Sequence, residues 1–263
     1  MELAWIIFLF LVGIIFIVKG GDFFVDAASW IAEVSGIPKL IIGATIVSLA
    51  TTLPELLVSV MAAVRKNVDM AIGNAVGSVT ANIGLIMAIS LICMPAVIKR
   101  ADYLMKSLLM LAAAALIVAC GFLGETGIGI SAVLIVIFLV FLWENVTSAR
   151  RSMRQGQEGE KRRLKTGKKE IGINIAKFVV GAVGIVWGAD LLVDNGSALA
   201  AMAGIPERVI GVTIIAVGTS LPELITTITA IVKKQSSLSV GNILGANIID
   251  LSLILPLSAL VSG

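Results

Sequence analysis

Apolar runs long enough to cross a hydrocarbon layer follow one another along the whole of this chain, and that feature alone rules out most folds. Windows separated by charged or Gly/Pro breaks cover 3–32, 40–64, 70–95, 103–123, 127–148, 172–202, 208–232 and 238–261. Each meets the ~20 residues a helix needs to cross a bilayer core. In lipid every backbone N–H and C=O must be satisfied within the segment, so each run is expected to be helical. Composition agrees: 58% of residues are apolar and 14% charged, where a soluble domain carries about 25% charged residues. The expected fold class is therefore all-α, a polytopic membrane protein.

Residues 1–19 lack the basic start and small-residue cleavage site of a signal peptide and are read as the first membrane helix. Nine of the Lys and Arg residues fall in the polar stretch 149–170, read as a solvated loop. If that loop is cytoplasmic, Lys39, Lys99, Arg100, Lys106, Lys233 and Lys234 also fall inside. Only Arg65, Lys66 and Arg208 then fall outside, which satisfies the positive-inside rule with the N-terminus outside. A net charge of +3 concentrated in one loop gives no reason to expect nucleic acid. Cys93 and Cys120 read as small core residues, and the absence of histidine leaves any proton shuttle to carboxylates.

The chain also repeats itself at a constant offset of 168 residues, with no gap. Asp22, Asp26 and Ser29 match Asp190, Asp194 and Ser197, and Gly36-Ile37-Pro38 matches Gly204-Ile205-Pro206. Leu53-Pro54-Glu55-Leu56 matches Leu221-Pro222-Glu223-Leu224, and Gly73, Asn74 and Gly77 match Gly241, Asn242 and Gly245. Five spans separate equivalent points, so the copies are expected to insert with opposite orientation, as inverted-topology five-helix repeats. The expected organisation is a first repeat over 1–148, a cytoplasmic basic loop over 149–170, and a second repeat over 171–263. That second repeat reads as truncated after its third helix, because residue 263 corresponds to residue 95. A fragment, a dispensable pair of helices, or self-association with or a partner supplying the missing helices are the alternatives.

Each copy places polar groups inside apolar runs. In "GATIVSLATTLPEL" (43–56) and "GVTIIAVGTSLPEL" (211–224), Pro54 and Pro222 are expected to break the helix and free carbonyls. Thr51, Thr52, Thr219 and Ser220 add hydroxyls one turn before Glu55 and Glu223. A carboxylate at this depth costs roughly 2.5–3.5 kcal/mol on insertion scales, and no basic residue lies mid-span to pair with it. Two such glutamates facing each other need a cation between them. An oxygen-only donor set suits a hard ion such as Ca²⁺ or Na⁺ rather than zinc or copper. Thr45 and Thr213 are expected only to bond back to their own helices.

The second polar segments are "GNAVGSVTANIG" (73–84) and "GNILGANIIDLS" (241–252). Gly73/Gly77 and Gly241/Gly245 suit close helix approach. Asn74 and Asn242 read either as helix caps or as gating residues. Ser78 and Asn82 share one face, as do Ala246 and the third intramembrane acid, Asp250, so this face too is expected to look into the site. Asp22/Asp26 and Asp190/Asp194 are expected at the solvated interface, with Lys19 snorkelling or pairing with one of them.

These paired motifs resemble the two alpha-repeats of the cation/calcium antiporter superfamily, and look most like its sodium/calcium exchanger branch, including potassium-dependent members. The resemblance covers essentially the whole chain. It implies a ten-helix inverted-repeat fold in which inward sodium flow drives calcium extrusion by alternating access. Carried over, calcium coordination falls on Glu55 and Glu223 with backbone carbonyls near Thr51 and Thr219. Sodium binding falls on the hydroxyls of Thr51, Thr52, Ser78, Thr219 and Ser220, with carbonyls at Ser48 and Ala216. The central polar pair falls on Asn82 and Asp250. The sequence departs from the family at Ala246, where a serine is usual, and in the missing last two helices. The "GN" segments also lack the glutamate of proton/calcium exchangers.

The expectation is thus a secondary antiporter exchanging Ca²⁺ for Na⁺ in a prokaryotic plasma (inner) membrane. Its partners would be small inorganic cations and the lipid bilayer. Coupling to K⁺ or H⁺ is the alternative within transport, and a cation channel or a non-transporting fragment the alternative outside it. No resident cofactor and no enzyme activity are expected: no nucleophile–base pair or HExxH motif is present.

Overall fold

The computed structural model describes residues 2–66, 68–93, 100–123, 128–158, 167–205, 218 and 220–262. All regular structure among them is helical. Helix α1 is Glu2–Ser35, α2 is Lys39–Thr51 and α3 is Leu53–Val64. Helix α4 starts as Val68–Ala81 and runs through a π-helical turn, Asn82–Met87, into Ala88–Cys93. Then follow α5 (Arg100–Leu123), α6 (Ile128–Glu158), α7 (Lys168–Met202), α8 (Leu221–Val232) and α9 (Ser236–Ser262). A π-helical turn at Asp250–Ile254 interrupts α9. Among the described residues six helices are long and apolar enough to cross a membrane, or seven if the bent pair α2–α3 is one span.

The stretch read as a loop differs at both ends, because residues 168–170 open α7 and 149–158 continue α6. Arg, Met, Gln and Glu are good helix formers and no proline interrupts them, so the helix outlasts its apolar window. Residues 206–217, which hold the first half of the 208–232 window, lie outside the described residues.

The 168-residue offset recurs in the backbone. Helices α3 and α8 each have 12 residues, and Val68–Ala81 and Ser236–Ile249 each have 14. The π-helical turns begin at the equivalent residues Asn82 and Asp250. Lys66 and Lys234 share positive φ values of 61° and 56°, as do Gly36 and Gly204 at 71° and 81°.

Helices α1 and α7 cross antiparallel, with glycines at their closest approaches. A Cβ on Gly13 would lie 2.9 Å from the Gly188 carbonyl oxygen, and one on Gly188 2.8 Å from that of Gly13. Gly20 and Gly181 meet in the same way, at 2.9 and 2.8 Å. Gly13 and Gly181 are offset-equivalent, as are Gly20 and Gly188, so a two-fold axis between the helices maps one contact onto the other. Small residues permit this approach, which dispersion rewards in a medium offering no hydrophobic drive.

Helix α9 lies at the centre. Of its most apolar stretch 78% is buried, against 17–22% for the other long helices. Gly241 and Gly245 seat it against Leu40, Ala44 and Ser48 of α2. Gly73 and Gly77 meet no neighbour among the described residues; the equivalent partners, 208, 212 and 216, lie outside them. Outward-facing Trp5, Phe8, Leu11, Phe122, Trp143 and Val183 are exposed, as a bilayer solvent allows. Cys120 is buried as expected, but Cys93 is exposed.

Beyond an exposed Lys39–Glu33 pair, two unanticipated ion pairs join different helices. Lys106 of α5 is buried and pairs with Glu144 of α6, whose other oxygen accepts from Ser148 Oγ at 2.9 Å. Lys233, just past α8, reaches α1, with Nζ 3.2 Å from Asp22 Oδ1 and 2.8 Å from Asp26 Oδ1. Burial works to lower the Lys233 pKa, but its hydrogen bonds to Asp26 and Asp22 overcome this and leave it raised. Asp22 and Asp26 are therefore paired rather than merely solvated, and exposed Lys19 takes no part.

Candidate functional site

The site begins where two helices break. Helix α2 ends at Thr51, Thr52 takes φ −86° and ψ 0°, and α3 starts at a bend of 47° with Pro54 in its first turn. Ser220 repeats this geometry, φ −89° and ψ 6°, ahead of Pro222 in α8. Proline fits a first turn because the N–H it lacks has no acceptor there anyway. The same geometry puts Glu55 and Glu223 in the first turns of α3 and α8, where the positive end of the helix dipole favours a carboxylate.

The residues that should cap these helices are diverted. Neither Thr52 nor Ser220 caps its own helix. Thr52 Oγ1 instead donates to Glu223 Oε1 at 3.1 Å, tying the first break to the second glutamate. Ser220 Oγ lies 2.9 Å from Ser78 Oγ of α4, which also lies 3.4 Å from Glu55 Oε1. Thr51 Oγ1 sits 3.2 Å from both the Ser48 carbonyl and Asn242 Oδ1, and its one proton serves one of them at a time. All six residues, Thr51, Thr52, Glu55, Ser78, Ser220 and Glu223, are buried, in separate hydrogen-bonded groups: Thr52 with Glu223, Glu55 with Ser78 and Ser220, and Thr51 with Asn242 or the Ser48 carbonyl.

Asn82 and Asp250 open two of the π-helical turns and are buried; a further such turn, Gly43–Val47, lies within α2. Such turns interrupt the regular hydrogen-bond ladder and are frequent at functional sites. Thr219 and Ala216 lie outside the described residues, as does Thr213. Thr45 Oγ1 donates to the Ile41 carbonyl at 2.6 Å, the expected back-bond.

The oxygens left over decide what the site accepts. Glu55 Oε2, Glu223 Oε2, Asn82 Oδ1 and both Asp250 carboxylate oxygens are buried without a hydrogen-bond partner among the described residues. Buried acceptors without donors, four of them on three acids, call for positive charge. No three Asp, Glu, His or Cys side chains among the described residues converge tightly enough to hold one metal. A cation here would therefore complete its shell from hydroxyls, amides and carbonyls, the donor set of a hard ion.

Asn74 and Asn242 lie inside helices, so the capping reading fails for both. Asn74 Nδ2 donates to the Glu55 carbonyl at 3.2 Å and to Ser59 Oγ at 2.9 Å, fastening α4 to the first turn of α3. Sequence reasoning missed Ser59, although Ser59 and Thr227 are both hydroxyl residues at matching positions of the repeat. It also missed the buried hydroxyl of Thr226 and the buried amide of Asn247, whose first-copy equivalents are Val58 and Val79.

The family model described as sodium/calcium exchanger protein matches residues 5–146 and 173–263. The inner membrane protein YrbG of Escherichia coli K12 is 37% identical over 260 residues, 97% of this chain and 79% of that one. The sodium/calcium exchanger MaX1 of Methanosarcina acetivorans is 32% identical, covering 95% of this chain and 81% of that one. The solved structure of the sodium-calcium exchanger NCX_Mj, soaked with Na⁺ and Sr²⁺, superposes with a TM-score of 0.85 at 27% identity, over 98% of this chain and 83% of that one. The human sodium/potassium/calcium exchanger 2 matches over 54 residues at 43% identity, 20% of this chain. The chain belongs to the sodium/calcium exchanger protein family.

Proposed function

We propose that this protein exchanges Ca²⁺ for Na⁺ across a membrane, by alternating access to a site built on the breaks at Thr52 and Ser220. The observation that carries the reading is the pair of buried glutamates, one in the first turn of each broken helix, each with an unpartnered oxygen. Calcium would take Glu55 and Glu223, and sodium would take the hydroxyls of Thr51, Thr52, Ser78, Thr219 and Ser220. Asn82 and Asp250 would complete the centre. The basic stretch near 149–170 would be cytoplasmic and the N-terminus outside. In this reading 1–148 and 171–263 are the two inverted repeats. The antiparallel, two-fold-related contacts of α1 and α7 support the inversion.

The test is ⁴⁵Ca²⁺ uptake into proteoliposomes preloaded with Na⁺, with K⁺, or with a proton gradient. Uptake that needs internal Na⁺ is expected. Uptake indifferent to every gradient would overturn antiport in favour of a channel. A K⁺-coupled exchange is the second reading, favoured by Asp250, whose buried carboxylate has no partner among the described residues, and by the local match to the sodium/potassium/calcium exchangers. It requires K⁺ together with Na⁺.

Ala246 stands opposite Ser78 in the repeat and is buried. Ala246→Ser adds the hydroxyl that the second half lacks and should lower the Na⁺ concentration for half-maximal uptake. One hydroxyl contact is worth about 1 kcal/mol, so the shift is roughly fivefold. An unchanged Na⁺ dependence would refute a ligand position there.

A further inference from the structure

Where a chain is built from two inverted copies, a contact present in one copy and absent from its equivalent marks what changes when the copies exchange conformations. Lys233 joins Asp22 and Asp26 of α1 to the end of α8. Its equivalent in the other copy is Arg65, at the end of α3, and the equivalents of the two aspartates are Asp190 and Asp194 of α7. Among the described residues, Arg65, Asp190 and Asp194 form no ion pair, and all three side chains are exposed.

Packing follows the same asymmetry. Helix α1 lies along α8, where a Cβ on Gly21 would sit 2.7 Å from Thr229 Oγ1. Helix α7 stands off α3. An apolar cleft of about 400 Å³ opens there instead, between Ala182, Val186 and Trp187 on α7 and Ala50, Pro54 and Leu57 at the first break. The asparagines differ too. Asn74 holds the Glu55 carbonyl and Ser59, whereas Asn242 has turned to Thr51, leaving its own Nδ2 and Thr227 Oγ1 without partners among the described residues.

We infer that Lys233 with Asp22 and Asp26, and Arg65 with Asp190 and Asp194, are two halves of an alternating latch. One closes as the other opens. In the state described, the Lys233 latch is closed and the cleft lies on the Arg65 side, next to Pro54 and so to Glu55. In the opposite state the cleft closes, Arg65 reaches Asp190 and Asp194, and a cleft of the same kind opens beside Pro222. The inference rests on the exchange reading, in which both states are visited in every cycle.

The experiment uses the full chain in proteoliposomes, with Cys93→Ser and Cys120→Ser as background. One variant adds Asp26→Cys and Lys233→Cys, the other Asp194→Cys and Arg65→Cys. Copper-phenanthroline forms the disulfides, a gel shift reads their yield, and ⁴⁵Ca²⁺ uptake reads transport separately. Both pairs are expected to cross-link. Closing either should lower uptake roughly tenfold or more, because one of the two states becomes inaccessible, and reduction should restore it. Failure of the Asp194/Arg65 pair to cross-link, while the Asp26/Lys233 pair does so, would overturn the latch whether or not the protein transports. Absence of uptake in the background itself would instead overturn the exchange reading. On the otherwise native chain, Lys233→Gln should raise hydrogen exchange over 221–235 and lower it over 53–66. A purely structural ion pair would change only the former.

Discussion

Glu223→Gln and Glu55→Gln should each abolish Na⁺-dependent ⁴⁵Ca²⁺ uptake while leaving the protein folded. Glutamine has the shape of glutamate and can still accept the hydrogen bond that Thr52 gives Glu223 at 3.1 Å, or the one Ser78 offers Glu55. What it removes is charge. Opposite charges ~4 Å apart at an effective dielectric near 20 interact by about 4 kcal/mol, and a divalent ion counts that twice. One substitution should therefore weaken Ca²⁺ binding by a factor on the order of 10⁵–10⁶. A neutral ligand such as Ser78 contributes about 1 kcal/mol, so Ser78→Ala should leave measurable exchange. The glutamine variants should also melt no earlier than the parent without Ca²⁺, since each removes a carboxylate oxygen buried without a partner among the described residues. Both should lose the Ca²⁺-induced rise in melting temperature. Persistence of that rise in both variants would place the ion elsewhere.

Gly241→Val should have the largest effect on stability. A Cβ at Gly241 would lie 3.0 Å from the Leu40 carbonyl carbon and 3.1 Å from the Ala44 nitrogen, with the Leu40 oxygen nearer still. These neighbours are backbone atoms and cannot rotate aside, so α9 must separate from α2. Overpacking of this kind costs about 1–3 kcal/mol. Because Thr51 and Asn242 meet across the same seam, separation also pulls the site apart. A clear drop in melting temperature in detergent, with loss of exchange, is the expected result. Gly172→Val is the control: Gly172 is exposed and a Cβ there meets nothing within 4 Å. Equal melting of the two variants would refute the seam.

Much of the architecture was legible because membranes constrain sequence strongly. Apolar length marked α1, α4, α5, α6, α7 and α9, and Pro54 and Pro222 marked the starts of α3 and α8. The 168-residue offset foresaw paired π-helical turns only in the sense that equivalent residues share a conformation; nothing in "NIGLIM" or "DLSLI" announces the turn itself. Asn74 and Asn242 were visible as a pair, but a local reading offered capping. Only packing of α4 on α3 shows Asn74 reaching the Glu55 carbonyl.

That this chain crosses a membrane, that it repeats, and that two glutamates lie beside breaks in apolar helices can all be read without its tertiary contacts. Those properties are written in hydropathy, in proline and in a constant offset, none of which needs a neighbour to be read. Tertiary structure decided the rest. It sent the hydroxyls of Thr52 and Ser220 across to other helices instead of to their own first turns, and it left carboxylate oxygens of Glu55, Glu223 and Asp250 without partners among the described residues. It also paired Lys233 with Asp22 and Asp26, 207 or more positions away. The physical reason is the repeat's own ambiguity. Two copies of one sequence pattern specify two equivalent sets of contacts, and only packing selects which copy makes which set.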